Sequence, residues 1–458
     1  MSKLRGLITY IAGLLLTVIV VSGTDLNASQ MVSVTIFIAI ILGAILFWRL
    51  RLAFALAGVA VLLFSRVLDV PHLMKYAHFD VILFLMGMMT VIGFLEEQGF
   101  FEHVLEILFK YFSRSGLMLI SGLLLMSAVF AALVDEVTSI LFITALTLRI
   151  TKHYDLDPLP MVIATVMATN VGSSFTVVGN PIGVLIAFEG NLTFLDFIRW
   201  ATPIGVMVLI LTIILASLYW RPYITKLNDM MNLLGEPNLG EEADKRKMRV
   251  SWAIFLCTIG GLVLHHPLEE LLHLERNTLL LAVPLIMAGV TLLISGERAR
   301  ELIERRVDWW TLAFFIFFFA TVGTLAYTGV TEIIAEAIIA YAGGNPILIT
   351  ALITWTAGVL SAFMDNILAV ATLVSVVHGL EAYGYHVFPT WWGMLFGACY
   401  LGNLTMIGST ANIVALGILE KERGRHIHFF DWFKPGLVIA VPQLTLATIL
   451  LLLQHFVF

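Results

Sequence analysis

Long apolar runs alternate with short polar segments along the whole chain. The runs fall at about 7–23, 31–48, 52–66, 80–96, 116–134, 137–150, 159–188, 201–220, 251–266, 277–294, 309–328, 330–343, 346–363, 366–378, 389–418 and 435–457. A helix needs about 20 apolar residues to cross the hydrocarbon core of a bilayer, so a chain of this length has room for roughly ten to twelve membrane elements. The pattern predicts an all-α polytopic membrane protein.

Four segments differ from simple membrane-spanning helices. In 116–150 and in 346–378, two short apolar runs are joined by a few residues around an acidic one, which predicts two re-entrant hairpins. The runs 159–188 and 389–418 are long and are interrupted by glycine and asparagine, which predicts two broken helices. Non-helical backbone at membrane depth is tolerated only where protein or a water-filled cavity lines it. Function is therefore expected in these four segments.

The basic residues predict the orientation, because cytoplasmic loops of membrane proteins are enriched in Lys and Arg. With a cytoplasmic N-terminus, 22 of the 26 Lys and Arg residues lie on the cytoplasmic side. They are Lys3, Arg5, Arg49, Arg51, Lys110, Arg114, Arg149, Lys152, Arg221, Lys226, Lys245, Arg246, Lys247, Arg249, Arg298, Arg300, Arg305, Arg306, Lys421, Arg423, Arg425 and Lys434, whereas Arg66, Lys75, Arg199 and Arg276 lie outside. This arrangement predicts a cytoplasmic linker at 221–250 and an external C-terminus.

The two halves of the chain repeat. Gly93, Gly99 and Asp135 match Gly323, Gly329 and Asp365 at an offset of 230, Gly179 matches Gly408 at 229, and Asp196 matches Asp431. The predicted orientation opens the first repeat outside and the second inside, so the repeats are inverted. Inverted repeats with broken helices are typical of secondary transporters that bind substrate near the membrane midplane.

The acidic residues at the two hairpin bends are the first candidates for chemistry. Asp135 and Glu136 lie at the first bend, and Asp365 with Asn366 at the second. Ionisable groups inside a membrane are costly and mark ion pathways, so Asp135 and Asp365 are predicted to bind the coupling ion, Na⁺ or H⁺. The alternative is that each aspartate only caps the following helix. Glu136 is the weaker candidate, because its repeat partner is Asn366.

The broken helices add neutral oxygen ligands. The candidates are Asn170, Ser173, Ser174, Thr176 and Asn180 in the first, and Asn403, Thr405, Ser409, Thr410 and Asn412 in the second. Carboxylate, amide and hydroxyl oxygens suit a hard cation, and helix N-termini suit an anion. Small and hydroxyl residues also mediate helix packing in membranes, so packing is the alternative for each. Asn180 and Asn403, each beside a helix-breaking glycine, are predicted to line the binding site.

Composition excludes several other classes of protein. Apolar residues make up 60% of the chain, charged residues 13%, and the mean hydropathy is +0.96, whereas soluble domains carry about 25% charged residues. A soluble enzyme and a nucleic-acid-binding domain are thereby excluded. The two cysteines form no CxxC motif and suggest neither a disulfide nor a metal site. No enzymatic activity and no cofactor are expected, apart from Na⁺ as a coupling ion.

The positions of these segments predict two domains. A transport domain comprises 116–188 and 345–418, and a scaffold comprises 1–115, 189–344 and 419–458. The aromatic segments at 192–200 and 426–433, counted within the scaffold parts, predict helices that lie at the membrane interface.

Two motifs carry a family resemblance. SAVFAALVDEVTSILF with ATNVGSSFTVVGNP, and GVLSAFMDNILAV with GACYLGNLTMIGSTAN, resemble the arsenite permease and sodium/proton antiporter branch of the ion transporter superfamily, which includes the pink-eyed dilution protein and resembles citrate-transporter-like permeases. The resemblance covers roughly 50–457. It implies an elevator mechanism and a homodimer in the lipid bilayer. Relatives often have Gly-Asp-Pro-Pro-Asn at 179–183 and Asp-Asn at 135–136, where this chain has Gly-Asn-Pro-Ile-Gly and Asp-Glu.

Two functions remain open from the sequence. The first is Na⁺/H⁺ antiport, which fits carboxylates and neutral oxygens with no Lys or Arg near either hairpin bend. The second is transport of an anion or neutral oxyacid, such as arsenite or citrate, coupled to Na⁺ or H⁺, because helix N-termini bind anions without basic side chains. A channel or a membrane scaffold is disfavoured, since neither predicts inverted repeats.

Overall fold

A computed structural model describes residues 3–112, 114–235, 244–423 and 427–454 of the chain. Within these ranges the chain is helical and contains no strand. Ten of the described helices are long and apolar enough to cross a membrane. The all-α polytopic architecture predicted from the apolar pattern is therefore confirmed.

The first half contains thirteen helices among the described residues. They are α1 (Lys3–Ser22), α2 (Ala28–Leu46), α3 (Arg51–Phe64), α4 (Val70–Tyr76), α5 (Phe79–Glu97), α6 (Phe100–Phe112), α7 (Gly116–Leu133), α8 (Glu136–His153), α9 (Leu159–Gly172), α10 (Pro181–Glu189), α11 (Phe194–Asp196), α12 (Thr202–Tyr219) and α13 (Arg221–Leu234). A π-helical turn at Phe197–Ala201 joins α11 to α12.

The second half follows the same plan. Its helices are α14 (Lys245–Leu272), α15 (Thr278–Ser295), α16 (Ala299–Arg306), α17 (Trp309–Tyr327), α18 (Val330–Tyr341), α19 (Pro346–Phe363), α20 (Asn366–Ala382), α21 (Phe388–Leu401), α22 (Thr410–Arg423) and α23 (Phe429–Gln454). Three matched pairs have equal lengths: α5 and α17 have 19 residues, α7 and α19 have 18, and α9 and α21 have 14. The predicted repeat is present in the fold.

The two hairpins meet at their tips. Helices α7 and α8 form the first hairpin and α19 and α20 the second. The Nδ2 of Asn366, at the second tip, lies 3.3 Å from Oε1 of Glu136 at the first. Inverted hairpins enter from opposite faces, so if each crossed the membrane fully, their tips would be separated by a hydrocarbon core of about 30 Å. Contact between the tips therefore fits re-entrant hairpins.

Each predicted broken helix is interrupted where glycine and asparagine occur. Helix α9 ends before a short 3₁₀ turn at Val177–Gly179, and α21 runs into a similar turn at Gly402–Leu404. Thr176 donates a hydrogen bond to the carbonyl of Ala132, and Thr405 makes the equivalent bond to Ala362. These equivalent threonines attach each break to the first arm of its own hairpin.

The helices that follow the broken helices pack against the hairpin unit. Helices α12 and α23 contact each other, and between them they contact α7, α9, α19 and α21. The sequence divides the chain at 188/189 and 418/419 and so places both helices in the scaffold. Their buried faces, with Thr212 on α12 and Gln443 on α23, are instead covered by the hairpin unit.

The two aromatic segments predicted as separate interfacial helices are extensions of long helices. Phe194 begins a helical stretch that runs through the π-helical turn to Tyr219, and Phe429 begins α23. Because no residue between Asp196 and Thr202 breaks the helix, the segment at 192–200 continues directly into α12. Residue 426 lies outside the described residues.

Candidate functional site

The two hairpin aspartates cap the second arm of each hairpin. Oδ1 of Asp135 accepts hydrogen bonds from the backbone N–H groups of Val137 and Thr138, both at 2.8 Å. Oδ1 of Asp365 accepts from the N–H of Ile367 at 3.0 Å. Such bonds satisfy the free N–H groups of a helix N-terminus and favour an ionised carboxylate there. The capping geometry is thus present at both bends, and ion binding by these residues stays a prediction.

Asp365 has two further polar neighbours. Thr410, the first residue of α22, donates from Oγ1 to Oδ2 of Asp365 at 2.5 Å. The buried guanidinium of Arg51 attracts Asp365 electrostatically, while Nη2 of Arg51 donates to the hydroxyl of Thr311 at 2.7 Å. Arg51 makes its direct hydrogen bond to Thr311 and not to Asp365, so its influence on the second bend is electrostatic only. Arg51 is 314 positions from Asp365 in sequence, and the packing of α3 against α17 places it beside Thr311.

Glu136 lies at the centre of the site and has no capping role. Its side chain is 1% exposed and accepts a hydrogen bond from Nδ2 of Asn366 at 3.3 Å, with the Ser173 side chain also close by. Asp365 and Asp135 repel its charge. A buried carboxylate without a cationic or backbone partner is costly when ionised. From the sequence, Glu136 is the weaker candidate because the equivalent residue of the second repeat is Asn366. In the structure, this same Asn366 contacts Glu136 across the two repeats.

The asparagines of the two broken helices form one buried hydrogen-bond network. Nδ2 of Asn170 donates to Oδ1 of Asn403 at 2.7 Å and to Oδ1 of Asn412 at 2.8 Å. Ser409 donates from Oγ to Oδ1 of Asn170 at 3.0 Å. Asn403 in turn donates to Oε1 of Gln443 at 3.0 Å. The network joins α9, the second break and α23, so it fixes the two broken helices against each other.

Gln443 also belongs to this network, although it is not among the residues predicted from the sequence. It is fully buried, and its Nε2 donates to the hydroxyl of Thr212 at 2.7 Å. Its signal in the sequence is an amide in the middle of the apolar run 435–457, in which the other amide, Gln454, lies near the end. A polar side chain in a membrane helix finds hydrogen-bond partners on neighbouring helices, so this amide could have been recognised as a packing contact.

Asn180 caps the second part of the first broken helix. Its Oδ1 accepts from the N–H of Gly183 at 2.7 Å, and its Nδ2 donates to Oγ of Ser173 at 2.8 Å. Ser174 bonds the hydroxyl of Tyr400 at 2.8 Å. The amides of Asn180 and Asn403 therefore already have protein partners, and direct binding of substrate by these two residues stays a prediction.

The structure brings together the candidate residues in two layers. Glu136, Asn366, Asp365, Asp135 and Thr410 lie at the hairpin tips. Ser173 lies between the tips and the amide network, because it contacts both Glu136 and Asn180. Carboxylate, amide and hydroxyl oxygens of this kind can hold a hard monovalent cation or a proton. Among the described residues, no group of three or more His, Cys, Asp and Glu side chains has the geometry of a metal site.

Comparison with known proteins identifies relatives over most of the chain. The sequence profile described as "Citrate transporter" matches residues 36–397. An uncharacterized transporter of Mycobacterium tuberculosis is 34% identical over 414 residues, which cover 88% of this chain and 93% of the relative. The P protein of Homo sapiens is 27% identical, with 85% of this chain and 55% of the P protein covered.

A solved structure has a similar fold. The YdaH transporter of Alcanivorax borkumensis, whose crystal structure is described as having an unusual topology, superposes with a TM-score of 0.60 at 15% identity. The match covers 87% of this chain and 89% of that one. At this identity the similarity concerns the fold alone.

Proposed function

The chain belongs to the citrate transporter family of membrane transporters, and from this premise we propose that it exchanges Na⁺ for H⁺ as a secondary antiporter. Family membership agrees with the resemblance drawn from the hairpin motifs. The chain is a multi-pass integral membrane protein, so its substrate is a small solute that crosses the bilayer.

The observation that carries this proposal is the environment of Glu136. A buried carboxylate at the meeting point of two hairpins, repelled by two aspartates, requires a neutralising partner. A proton bound to Glu136 can neutralise the carboxylate, and so can a sodium ion held by the same oxygens. Because the two cannot occupy the carboxylate together, their binding is competitive, which is the requirement for antiport.

The neighbouring groups suit sodium ligation. Asn366 and Ser173 have neutral oxygens beside Glu136, and Asp365 or Asp135 would add a carboxylate oxygen if the tips closed around an ion. Hard cations are bound by oxygen ligands of this kind. We assign the two aspartates the double role of helix cap and cation ligand, with Glu136 as the group that exchanges protons.

The movement we propose is of the elevator type. The hairpins, the broken helices and the two helices α12 and α23 form one packed unit, and this unit would carry the site across the bilayer against α1–α6 and α14–α18. The resemblance also implies a homodimer, in which the fixed helices of two copies would form the contact.

A second candidate is transport of a carboxylate such as citrate, after which the matching family is described. Arg51 and the N-terminus of α20 would bind an anionic group beside Asp365. The acidic residues would then hold the coupling cations. The three carboxylates at the tips oppose an anion, so we place this candidate second.

Flux measurements distinguish the two functions. Purified protein in proteoliposomes would be given a sodium gradient, and lumenal pH would be followed in parallel with uptake of labelled citrate and arsenite. Antiport predicts sodium-driven proton movement without an added anion. Proton movement that appears only when an anion is transported would support the second candidate instead.

A further inference from the structure

A cluster of two histidines and one glutamate crosses the boundary between the proposed moving unit and the scaffold. Nδ1 of His78, just before α5, lies 3.0 Å from Oε1 of Glu189, and Nε2 of His378 on α20 lies 2.8 Å from Oε2 of the same carboxylate. Glu189 is the last residue of α10 and moves with the first broken helix. The bond between His78 and Glu189 therefore joins scaffold to moving unit.

The cluster borders a cavity of about 280 Å³ on the predicted external side. On the scaffold side the cavity is lined by the end of α4, by His78 and by α17 and α18, and on the side of the moving unit by α10 and α20. None of the site residues predicted from the sequence lines it. If the unit moved along the scaffold, the bond between His78 and Glu189 would have to break. The cluster is thus placed where a contact can control the movement.

The backbone and the neighbouring rings hold the two imidazoles in position. His78 has a left-handed conformation with φ of 48°, which is unfavourable for a residue with a side chain. Its ring packs edge-on against Phe319 at 5.2 Å, and the ring of His378 packs edge-on against Trp391 at 5.3 Å. The surrounding structure therefore holds His78 in an unfavourable backbone conformation, and this conformation places its imidazole against Glu189.

The groups that face the cluster are mostly acidic. They are Asp80 on α5, Glu332 on α18, Glu381 on α20 and the phenol of Tyr76 on α4, with the ammonium of Lys75 lying 5.5 Å from the ring of Tyr76. Burial works against a charged His78, but the hydrogen bond and the charge of Glu189 outweigh it and raise the pKa of His78. The acidic surroundings thus favour protonated histidines.

We propose that His78, Glu189 and His378 form a proton-controlled latch that holds the moving unit against the scaffold at the predicted external face. Protonated histidines close the latch, because both then bind the Glu189 carboxylate as cations. The stabilisation by His78 is complete below about pH 6.5 and is lost as the pH rises through its raised pKa. External acid therefore slows the movement, and external alkali releases it.

The latch rests on the proposed movement but not on the ion that is carried, so the test measures distance rather than flux. Spin labels on cysteines replacing Asp25 in the scaffold and His386 in the moving unit, with Cys257→Ser, report the separation in lipid nanodiscs. At about pH 5.5 we expect one short distance between the labels. At about pH 8.5 the fraction of molecules that show a second distance should be severalfold larger than at pH 5.5. His78→Gln and Glu189→Gln should each remove this pH dependence.

His72→Gln is the matched control, since His72 pairs with Asp69, the N-cap residue of its own helix α4, and this pair crosses no boundary. This variant should keep the wild-type response to pH. Identical distance distributions at both pH values in the wild type would overturn the latch, as would an unchanged pH response in both His78→Gln and Glu189→Gln. A failed sodium flux in proteoliposomes would overturn the proposed antiport and leave the latch unaffected.

Discussion

Glu136 contacts Asn366 of the other repeat, and it lies beside two aspartates that cap helices. From the sequence, the acidic pair Asp135 and Asp365 is the stronger candidate, because both repeats carry it. The structure gives both aspartates helix N–H partners, while Glu136 faces Asn366 and two repelling carboxylates. The sequence could place all three residues at the bends. It could not show which carboxylate lacks a hydrogen bond from a helix N-terminus.

The first prediction concerns the substitution Glu136→Gln. Glutamine can still accept the hydrogen bond from Asn366 but cannot exchange a proton, so sodium-driven proton flux should fall by at least about tenfold, equivalent to about 1.4 kcal/mol. Flux in proteoliposomes measures the effect. Glu304→Gln is the control, since Glu304 is exposed and pairs with Arg300 on its own helix. If both variants kept wild-type flux, Glu136 would not be the exchanging group.

The second prediction separates the two roles of the aspartates. Asp135→Asn and Asp365→Asn should keep the helix cap, whereas alanine at either position should destabilise the fold by about 0.5–2 kcal/mol. Thermal unfolding in detergent measures this difference. If at least one aspartate is a cation ligand, its asparagine variant should fold normally and lose apparent sodium affinity. Unchanged sodium affinity and pH profile in both asparagine variants would leave capping as the only role.

At the scale of helices, close packing of each hairpin against a broken helix depends on glycine. A Cβ at Gly172 on α9 would lie 2.1 Å from the carbonyl oxygen of Ala128 on α7, and one at Gly397 on α21 would lie 2.2 Å from that of Thr354 on α19. Backbone atoms cannot move aside without shifting a helix. Small residues at such crossings allow the close approach of membrane helices.

The third prediction follows from this packing. Gly172→Ala should destabilise the protein by about 1–3 kcal/mol, because the added methyl group overpacks the contact of α7 with α9. Gly260→Ala on α14 is the matched control, since no atom lies within 4 Å of its added Cβ, and it should be neutral or stabilising by up to about 1 kcal/mol. Thermal unfolding of the two variants under one condition tests the difference, and equal stability would contradict it.

Sequence patterns predict the individual helices, but they contain little information on which helices pack together. Apolar runs and glycine breaks mark the hairpins and broken helices because each signal is local. The packing of α12 and α23 against the hairpin unit depends on contacts such as that of Thr212 with Gln443, which join residues 231 positions apart. No local pattern contains such a contact, and so the predicted boundary after residue 188 separates helices that pack together.

At the scale of the whole molecule, the fourth prediction concerns orientation in the membrane. The linker position Asn238 lies outside the described residues, so Lys226 on α13 serves as the cytoplasmic reporter and Lys75 on α4 as the external one. In a Cys257→Ser background, a membrane-impermeant maleimide added to intact cells should label Lys75→Cys and not Lys226→Cys. The reverse pattern would contradict the orientation drawn from the 22 basic residues.

The central claim is that the carboxylates at the hairpin tips exchange Na⁺ for H⁺. The most direct measurement uses proteoliposomes loaded with sodium and diluted into sodium-free buffer without any transported anion, while a trapped dye reports lumenal pH. As sodium leaves, antiport brings protons in, so the lumen should acidify in wild-type vesicles and remain at constant pH with Glu136→Gln. A lumen that holds its pH in wild-type vesicles, with citrate taken up by the same preparation, would contradict the account.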